Sequence, residues 1–180
     1  MLTLPLFPLP ICLMPEGLAE LRIFEPRYQR LVTEASRNGL GFGVSPFDAA
    51  SQQLFDVGCI AEIVDFKRRD DGLLGIMIKG KQRFRLVSFT VESDGLKRGN
   101  VELLPAWPEH SIHTPKEQQL AELLTPLLPI AYQANSKSQS MTWICQRWLE
   151  ILPINLQAKQ QLMCQKDANM TRELLKQLLQ

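Results

Sequence analysis

Histidine and cysteine are scarce in this chain of 180 residues, with two and four copies respectively. Cys12, Cys59, Cys145 and Cys164 stand far apart with no CxxC pair, so their spacing signals neither a zinc site nor a dithiol redox centre. They are expected to be small buried thiols. His110 and His113 fall in a polar stretch with no clear ligand partners, and solvated loop positions are expected for both. A surplus of charge is missing too. Twenty basic and nineteen acidic side chains leave a formal net charge of +1, which supplies no overall field for a polyanion or an acidic membrane surface. No apolar run reaches the ~20 residues needed to cross a bilayer. The apolar amino terminus lacks a basic leader and is interrupted by Pro5, Pro8, Pro10 and Pro15, where a secretory signal needs a continuous helix. These absences predict a cytoplasmic protein with no membrane contact, no cofactor and no metal.

What is present is enough apolar residue, 45% of the chain, for a proper core in one domain with an appendage or in two closely packed subdomains. The pattern changes near Pro105. Before it, short β-favouring runs recur at 2–7, 18–24, 57–66, 73–78, 83–91 and 101–104, separated by glycine and acidic turn residues. Asp70-Asp71-Gly72 carries the Asp-Gly signal of a tight hairpin. Pro5 and Pro8 place the first strand at an edge or bulge, because proline cannot donate to a ladder. One helix interrupts the strands: Pro26 suits its first position, Leu31, Val32 and Ala35 form its apolar stripe, and Gly39 suits its stop. It is expected to pack across an opening of the barrel, with the Tyr28 ring in that packing. After a polar linker at 110–114 the spacing becomes helical. Met141, Ile144, Cys145, Trp148, Leu149 and Leu152 share one helix face, and Leu174, Leu175, Leu178 and Leu179 repeat the pattern. Asn155 and Thr171 read as helix caps. Pro126 and Pro129 should stop or kink a segment spanning 120–131. The last helix is expected to dock on its own bundle.

The run Leu4-Pro5-Leu6-Phe7-Pro8-Leu9, followed by Leu21-Arg22-Ile23-Phe24-Glu25-Pro26-Arg27-Tyr28, resembles the opening of the Lon protease amino-terminal domain. The resemblance continues through Phe42-Gly43-Val44, Gly58-Cys59-Ile60-Ala61-Glu62-Ile63, Asp71-Gly72 and Gly80-Lys81-Gln82-Arg83-Phe84-Arg85-Leu86, in the family's order and approximate spacing. It implies an α+β fold: a PUA-like bent antiparallel β-barrel with one inserted helix at 1–107, then a C-terminal helical bundle at 115–180. Full-length relatives carry an ATPase module and a Ser/Lys peptidase domain, each longer than what remains here. The resemblance therefore implies a stand-alone substrate-binding part that binds unfolded or client polypeptides without cleaving them, in the service of a separate ATP-dependent protease. One departure stands out: Ala19-Glu20 precede Leu21 where many relatives carry Leu-Pro, which sets a charge beside the proposed apolar surface.

Apparent catalytic motifs dissolve on inspection. Gly75 to Gln82 has the glycine and lysine spacing of a phosphate-binding loop, but Gln82 stands where a magnesium-binding Ser or Thr belongs, and strands are expected on both sides. Gly39-Leu40-Gly41-Phe42-Gly43 follows a helix and places its third glycine too early for a dinucleotide loop. No glycine-framed serine nucleophile or oxyanion loop is recognisable, and a non-enzymatic binding module is expected. The candidate peptide contacts are Leu13, Met14, Leu18, Leu21, Phe24 and Phe47, apolar residues of loops and edges near the amino terminus. They act with an exposed strand edge able to pair with an extended peptide, and with the cleft between barrel and bundle. The alternative is an RNA-binding module using Lys79, Lys81, Arg83 and Arg85, which share one face of a strand if no bulge intervenes at Gly80. Bulk charge makes nucleic acid the less favoured partner.

Overall fold

Period-two apolar patterning in the first hundred residues becomes seven strands and one helix. The computed structural model describes residues 1–132 and 139–180, and the chain divides into two units, Met1–Pro105 and Ala106–Gln180. The first unit runs β1 (Leu2–Leu9), β2 (Leu18–Ile23), α1 (Pro26–Asn38), β3 (Phe42–Asp48), β4 (Gln53–Leu54), β5 (Val57–Arg68), β6 (Leu74–Val91) and β7 (Lys97–Leu103). Strand order is β1-β7-β6-β5-β3-β4, and a β1–β3 pairing closes the ring. That closing pair is parallel, with Leu6 opposite Gly43 and Leu9 opposite Pro46, whereas the other pairings are antiparallel. β2 attaches to β6 outside the ring path.

The two runs expected at 73–78 and 83–91 are one 18-residue strand, β6. At ~3.3 Å per residue it is too long to stay straight in a small barrel, and bulges bend it. Ile60 pairs with Gln82 and Ala61 with Gly80, so Lys81 is the extra residue of the first bulge, and Val87 is extra in a second between Leu86 and Ser88. Sequence reading missed β3 as a strand because Gly43 and Pro46 break its apolar run. The prolines of β1 obey their constraint unexpectedly. β1 lies between two partners, but it pairs with β7 over Leu2–Leu6 and with β3 over Leu6–Leu9, so Pro5 and Pro8 each sit where only one partner is engaged.

α1 begins with Pro26 and ends at Gly39, whose φ of 68° is the left-handed conformation glycine adopts without strain. Its Leu31, Val32 and Ala35 enter the main core beside Phe7, Leu21, Phe42, Ile76 and Ile78. The Phe7 and Tyr28 rings stack at 4.0 Å. An ion network holds the solvent side of α1: Arg98 binds Glu34 and Glu92, and Arg30 reaches Glu92 at 2.9 Å and Asp94 at 2.8 Å. The bonded Arg98 guanidinium holds the Glu34 and Glu92 carboxyls below their usual range. A second core of Leu4, Leu6, Ile60, Phe84 and Val101 fills the remainder of the ring.

The second unit contains α2 (Pro115–Leu124), 3-10 turns at Thr125–Leu127 and Ile130–Tyr132, α3 (Met141–Ile151), α4 (Leu156–Met163) and α5 (Asn169–Leu178). α2 starts earlier than expected because Thr114 and Glu117 form a reciprocal capping box. Pro126 then tightens its end into a 3-10 turn. In α3 the expected stripe is buried except for half-buried Trp148, but Thr142, Gln146 and Arg147 are buried as well. α3 is therefore a central helix, and Arg147, 1% exposed, is bonded to Glu150 at 2.7 Å. Asn155 caps α4 as expected, accepting from the Ala158 amide. Thr171 is not a cap: it lies inside α5 and is buried, and the Asp167 carboxylate accepts from the Asn169 amide instead. α5 docks on α2 and α3 through Leu175, although Leu178 stays exposed. Three cysteines are buried as expected, burial pushing the Cys145 thiol up to about 12, whereas Cys164 is exposed at the end of α4.

Two predictions follow from these contacts. A Cβ at Gly80 would lie 2.2 Å from the Met14 carbonyl oxygen, whereas one at Gly72 meets nothing within 4 Å although φ is 79°. Gly80→Ala should cost about 3 kcal/mol in denaturant unfolding because main chain must move, and Gly72→Ala about 1 kcal/mol for its left-handed backbone. Glu117, buried, accepts from the His113 and Thr114 amides at 2.8 and 3.3 Å and pairs with Lys176 at 3.3 Å. Burial raises its pKa, but these partners outweigh it and hold the carboxyl below its ordinary 4.5. A depressed folded value gives stability that is present above the ordinary value and lost as pH falls through the folded one. Melting of the wild type should thus weaken below about pH 4.5, and Glu117→Gln should remove part of that slope while costing about 2 kcal/mol at pH 7.

Candidate functional site

β2 is a strand with one neighbour. Its register on β6 is complete, Leu18 opposite Lys79 through Ile23 opposite Leu74, and among the described residues its other edge pairs with no strand. Leu21 and Ile23 turn into the core while Glu20 and Arg22 face solvent. Both outward charges are neutralised by the β5–β6 turn, Glu20 by Arg69 at 3.2 Å and Arg22 by Asp71 at 2.8 Å. The charge expected to spoil an apolar surface at Glu20 is therefore paired. That turn is the Asp-Gly hairpin anticipated from sequence, with Gly72 donating to the Arg69 carbonyl and Arg69 to the Leu73 carbonyl.

Beyond the last residue of β2, Phe24 is 58% exposed with the Arg22 guanidinium 6.0 Å from its ring centre. Across the sheet, Phe66 of β5 pairs with Ile76, which pairs with Leu21, so an apolar row runs from buried Leu21 to Phe66, 54% exposed. An open hollow of about 320 Å³ lies at the hairpin end, lined by Phe66, Arg68, Gly72 and Leu74. A strand edge of this kind, ending at exposed Phe24, can pair with an extended backbone and hold an apolar side chain.

The six residues proposed from sequence do not form one surface. Leu13, Met14 and Leu21 are buried, Leu13 and Leu21 within the main core. Leu18 is half-buried at the start of β2, and Phe24 is exposed at its end. Phe47 lies at the end of β3, paired with Leu54 of β4 and half-buried. The loop residues are internal because residues 14–17 fold onto Gly80, with Glu16 donating to the Gly80 carbonyl and Gly80 to the Gly17 carbonyl, each at 2.8 Å. Phe66 was missed. The mark it left in sequence is an aromatic at the end of a β run just before a charged turn.

The basic stripe is dispersed. The bulge at Lys81 breaks the alternation needed for a common face. Lys79 pairs with Glu16 at 3.1 Å and Lys81 with Glu62 at 3.2 Å. Arg83, 3% exposed, donates to the Pro105 carbonyl at 2.8 Å. Arg85 remains on the surface opposite Glu102 of β7. Gly75 to Gln82 lies wholly within β6, its main chain laddered to β2 and β5, so the loop that would surround a phosphate does not form. Among the described residues no group of three His, Cys, Asp or Glu is placed to hold a metal, and no helix is long and apolar enough to cross a membrane.

Residues 3–180 match the family described as the ATP-dependent protease La (LON) substrate-binding domain. The chain belongs to this LON substrate-binding domain family. A Lon N-terminal domain protein from Xanthomonas campestris superposes with a TM-score of 0.78 at 29% identity, covering 97% of each chain. The N-terminal domain of a Mycobacterium avium complex Lon protease shares the fold, with a TM-score of 0.57 at 14% identity over 96% of this chain and 95% of that one. Protein cereblon from Gallus gallus is 24% identical over 98 residues, 53% of this chain but only 22% of cereblon's length. As a LON substrate-binding domain, the chain is a substrate-binding module with a mixed α+β fold.

The positions of Met14 and Phe24 separate folding from surface chemistry in this LON domain. Met14→Asp places a charge in a fully buried site and should abolish the cooperative melt. Phe24→Asp should shift stability by no more than about 0.5 kcal/mol, as expected for an exposed position. Circular dichroism melts of the two variants check this.

Proposed function

We propose that this LON domain captures exposed hydrophobic segments of unfolded or client polypeptides, without cleaving them, by pairing their backbone with the free edge of β2. An apolar side chain of the bound segment rests against Phe24. The observation that carries this reading is the β2 edge itself: its outer edge joined to no strand among the described residues, its two outward charges neutralised by Arg69 and Asp71, and its end at exposed Phe24. Main-chain pairing supplies affinity with little demand on client sequence, and the Phe24 ring favours apolar segments. Membership of a family named for substrate binding in an ATP-dependent protease supports polypeptide as the ligand and such a protease as the partner that receives it. The reading places the protein in cytoplasmic quality control. The dispersal of Lys79, Lys81, Arg83 and Arg85 argues against phosphate as the ligand.

The test is fluorescence anisotropy with a permanently unfolded, labelled polypeptide across a salt series, beside single-stranded and structured RNA. Polypeptide affinity should change less than about threefold between ~50 and ~500 mM salt, since apolar and main-chain contacts are weakly screened. Phe24→Asp should weaken binding about tenfold, equivalent to about 1.4 kcal/mol. Leu18→Lys, which adds a charge at the strand edge, should act in the same direction. Steeply salt-dependent RNA binding lost on Arg85→Glu, or polypeptide binding indifferent to both variants, overturns the reading.

A further inference from the structure

Beyond Arg85, β6 leaves β5 behind. Arg85 is the last residue of β6 paired with β5, and the Leu86 amide reaches only the Asp56 carbonyl. From Val87 to Val91 the strand has β7 on one side and, among the described residues, no strand on the other. The direction of its main-chain groups follows from the hairpin that ends it. Glu92 donates to the Leu96 carbonyl and Gly95 to the Glu92 carbonyl, which makes Glu92 and Leu96 a hydrogen-bonded pair. Alternation in an antiparallel ladder then assigns the bonds to β7 to Thr90 and Ser88, opposite Arg98 and Asn100, and turns the N–H and C=O of Phe89 and Val91 to the outer edge. Such an edge is normally blunted by charge or proline. Here Val87-Ser88-Phe89-Thr90-Val91 contains neither, and Val87, Phe89 and Val91 are 50%, 43% and 59% exposed.

What an outward row of main-chain groups accepts is another strand, and the order of the side chains says which one. The segment reads the same in both directions by type: valine, hydroxyl residue, phenylalanine, hydroxyl residue, valine. An antiparallel second copy, related by a twofold axis at Phe89, sets ring against ring, Val87 against the other copy's Val91 and Ser88 against the other copy's Thr90. Charge agrees with that direction. At one end Arg85 is exposed and, among the described residues, joined in no ion pair, although Glu102 lies opposite it on β7. At the other end the hairpin tip carries Glu92 and Asp94, members of a bonded cluster in which three carboxylates, with Glu34, meet two guanidiniums, Arg30 and Arg98. Antiparallel pairing brings each Arg85 beside the other copy's acidic tip, whereas parallel pairing sets like ends together.

We propose that residues 87–91 of β6 form an interface with a second copy of this chain, the two strands pairing antiparallel through their outer edges about a twofold axis at Phe89. The two sheets then run on as one. So short a contact is small, which makes the dimer dependent on concentration. It shares no residue with the β2 edge, so its failure leaves the reading of that edge intact.

Sedimentation equilibrium of the full chain between ~5 and ~500 μM tests it, a range in which small interfaces associate. The weight-average mass should rise from 20.5 kDa toward twice that value, and less steeply at ~500 mM salt, where the Arg85 contacts are screened. Phe89→Lys, at an exposed position, should keep the wild-type melt and weaken association about tenfold or more by charging the edge. Arg85→Glu should weaken it about threefold, the effect of a surface ion pair. Should Phe89→Lys fail to fold, Val91→Lys takes its place with the same expectation. Amide hydrogen exchange locates the contact. The Phe89 and Val91 amides should gain protection as concentration rises, while that of Thr90, bonded to β7 in either state, and those of β2 stay unchanged. A mass fixed at 20.5 kDa throughout, association indifferent to the lysine variants, or protection that grows along β2 instead overturns the proposal.

Discussion

Where the chain turns at residues 14–17, its backbone lies against Gly80, and much of the first unit depends on that contact. The Gly80 amide donates to Gly17, its carbonyl accepts from Glu16, and the Met14 carbonyl occupies the space a side chain would need. The contact sets β2 on β6 with Leu18 opposite Lys79. It is followed at once by the bulge at Lys81, which redirects β6 from its partnership with β2 toward its pairing with β7. One strand thereby serves both the ring and the three-stranded extension. Among the described residues β2 has no strand on its outer edge because it hangs on the part of β6 that has already departed from the ring.

The same geometry explains why polar and apolar groups end where they do. On β6, Ile76, Ile78 and Phe84 are buried and Lys79 and Lys81 reach acidic partners, while the register change after Gly80 turns Arg83 inward to a main-chain carbonyl. At the hairpin, Arg69 and Asp71 close over the outward charges of β2, so the extension presents main chain and aromatic rings with little net charge. In the helical unit the buried charges are likewise committed: Glu117 joins α2 to α5 through Lys176, Arg147 is held by Glu150, and Lys159 donates to the Glu150 carbonyl at 2.9 Å.

Local signals read from sequence were dependable where a residue has one conformational use. Pro26 and Gly39 bound α1, Asp71-Gly72 makes the hairpin, Asn155 caps α4, and the apolar stripe of α3 is buried. Thr171 misled because a threonine before a leucine-rich run has the chemistry of a cap, yet here it lies within α5 with its side chain buried. The candidate contact residues misled for a related reason: Leu13 and Met14 stand between Pro10 and Pro15 and read as loop, and loops are usually outside. This loop is folded onto a strand.

Composition and order of residues alone determined that the chain has a β-rich part followed by a helical part, that its charges are balanced, and that its opening motifs are those of the LON substrate-binding family. Those properties follow from side-chain chemistry and short-range spacing. Tertiary structure alone decided which apolar residues reach solvent, which strand edge stays open, and whether four basic residues share a face. Each of these depends on register, and a single bulge at Lys81 or the 2.2 Å approach at Gly80 shifts it without leaving a mark in the local pattern.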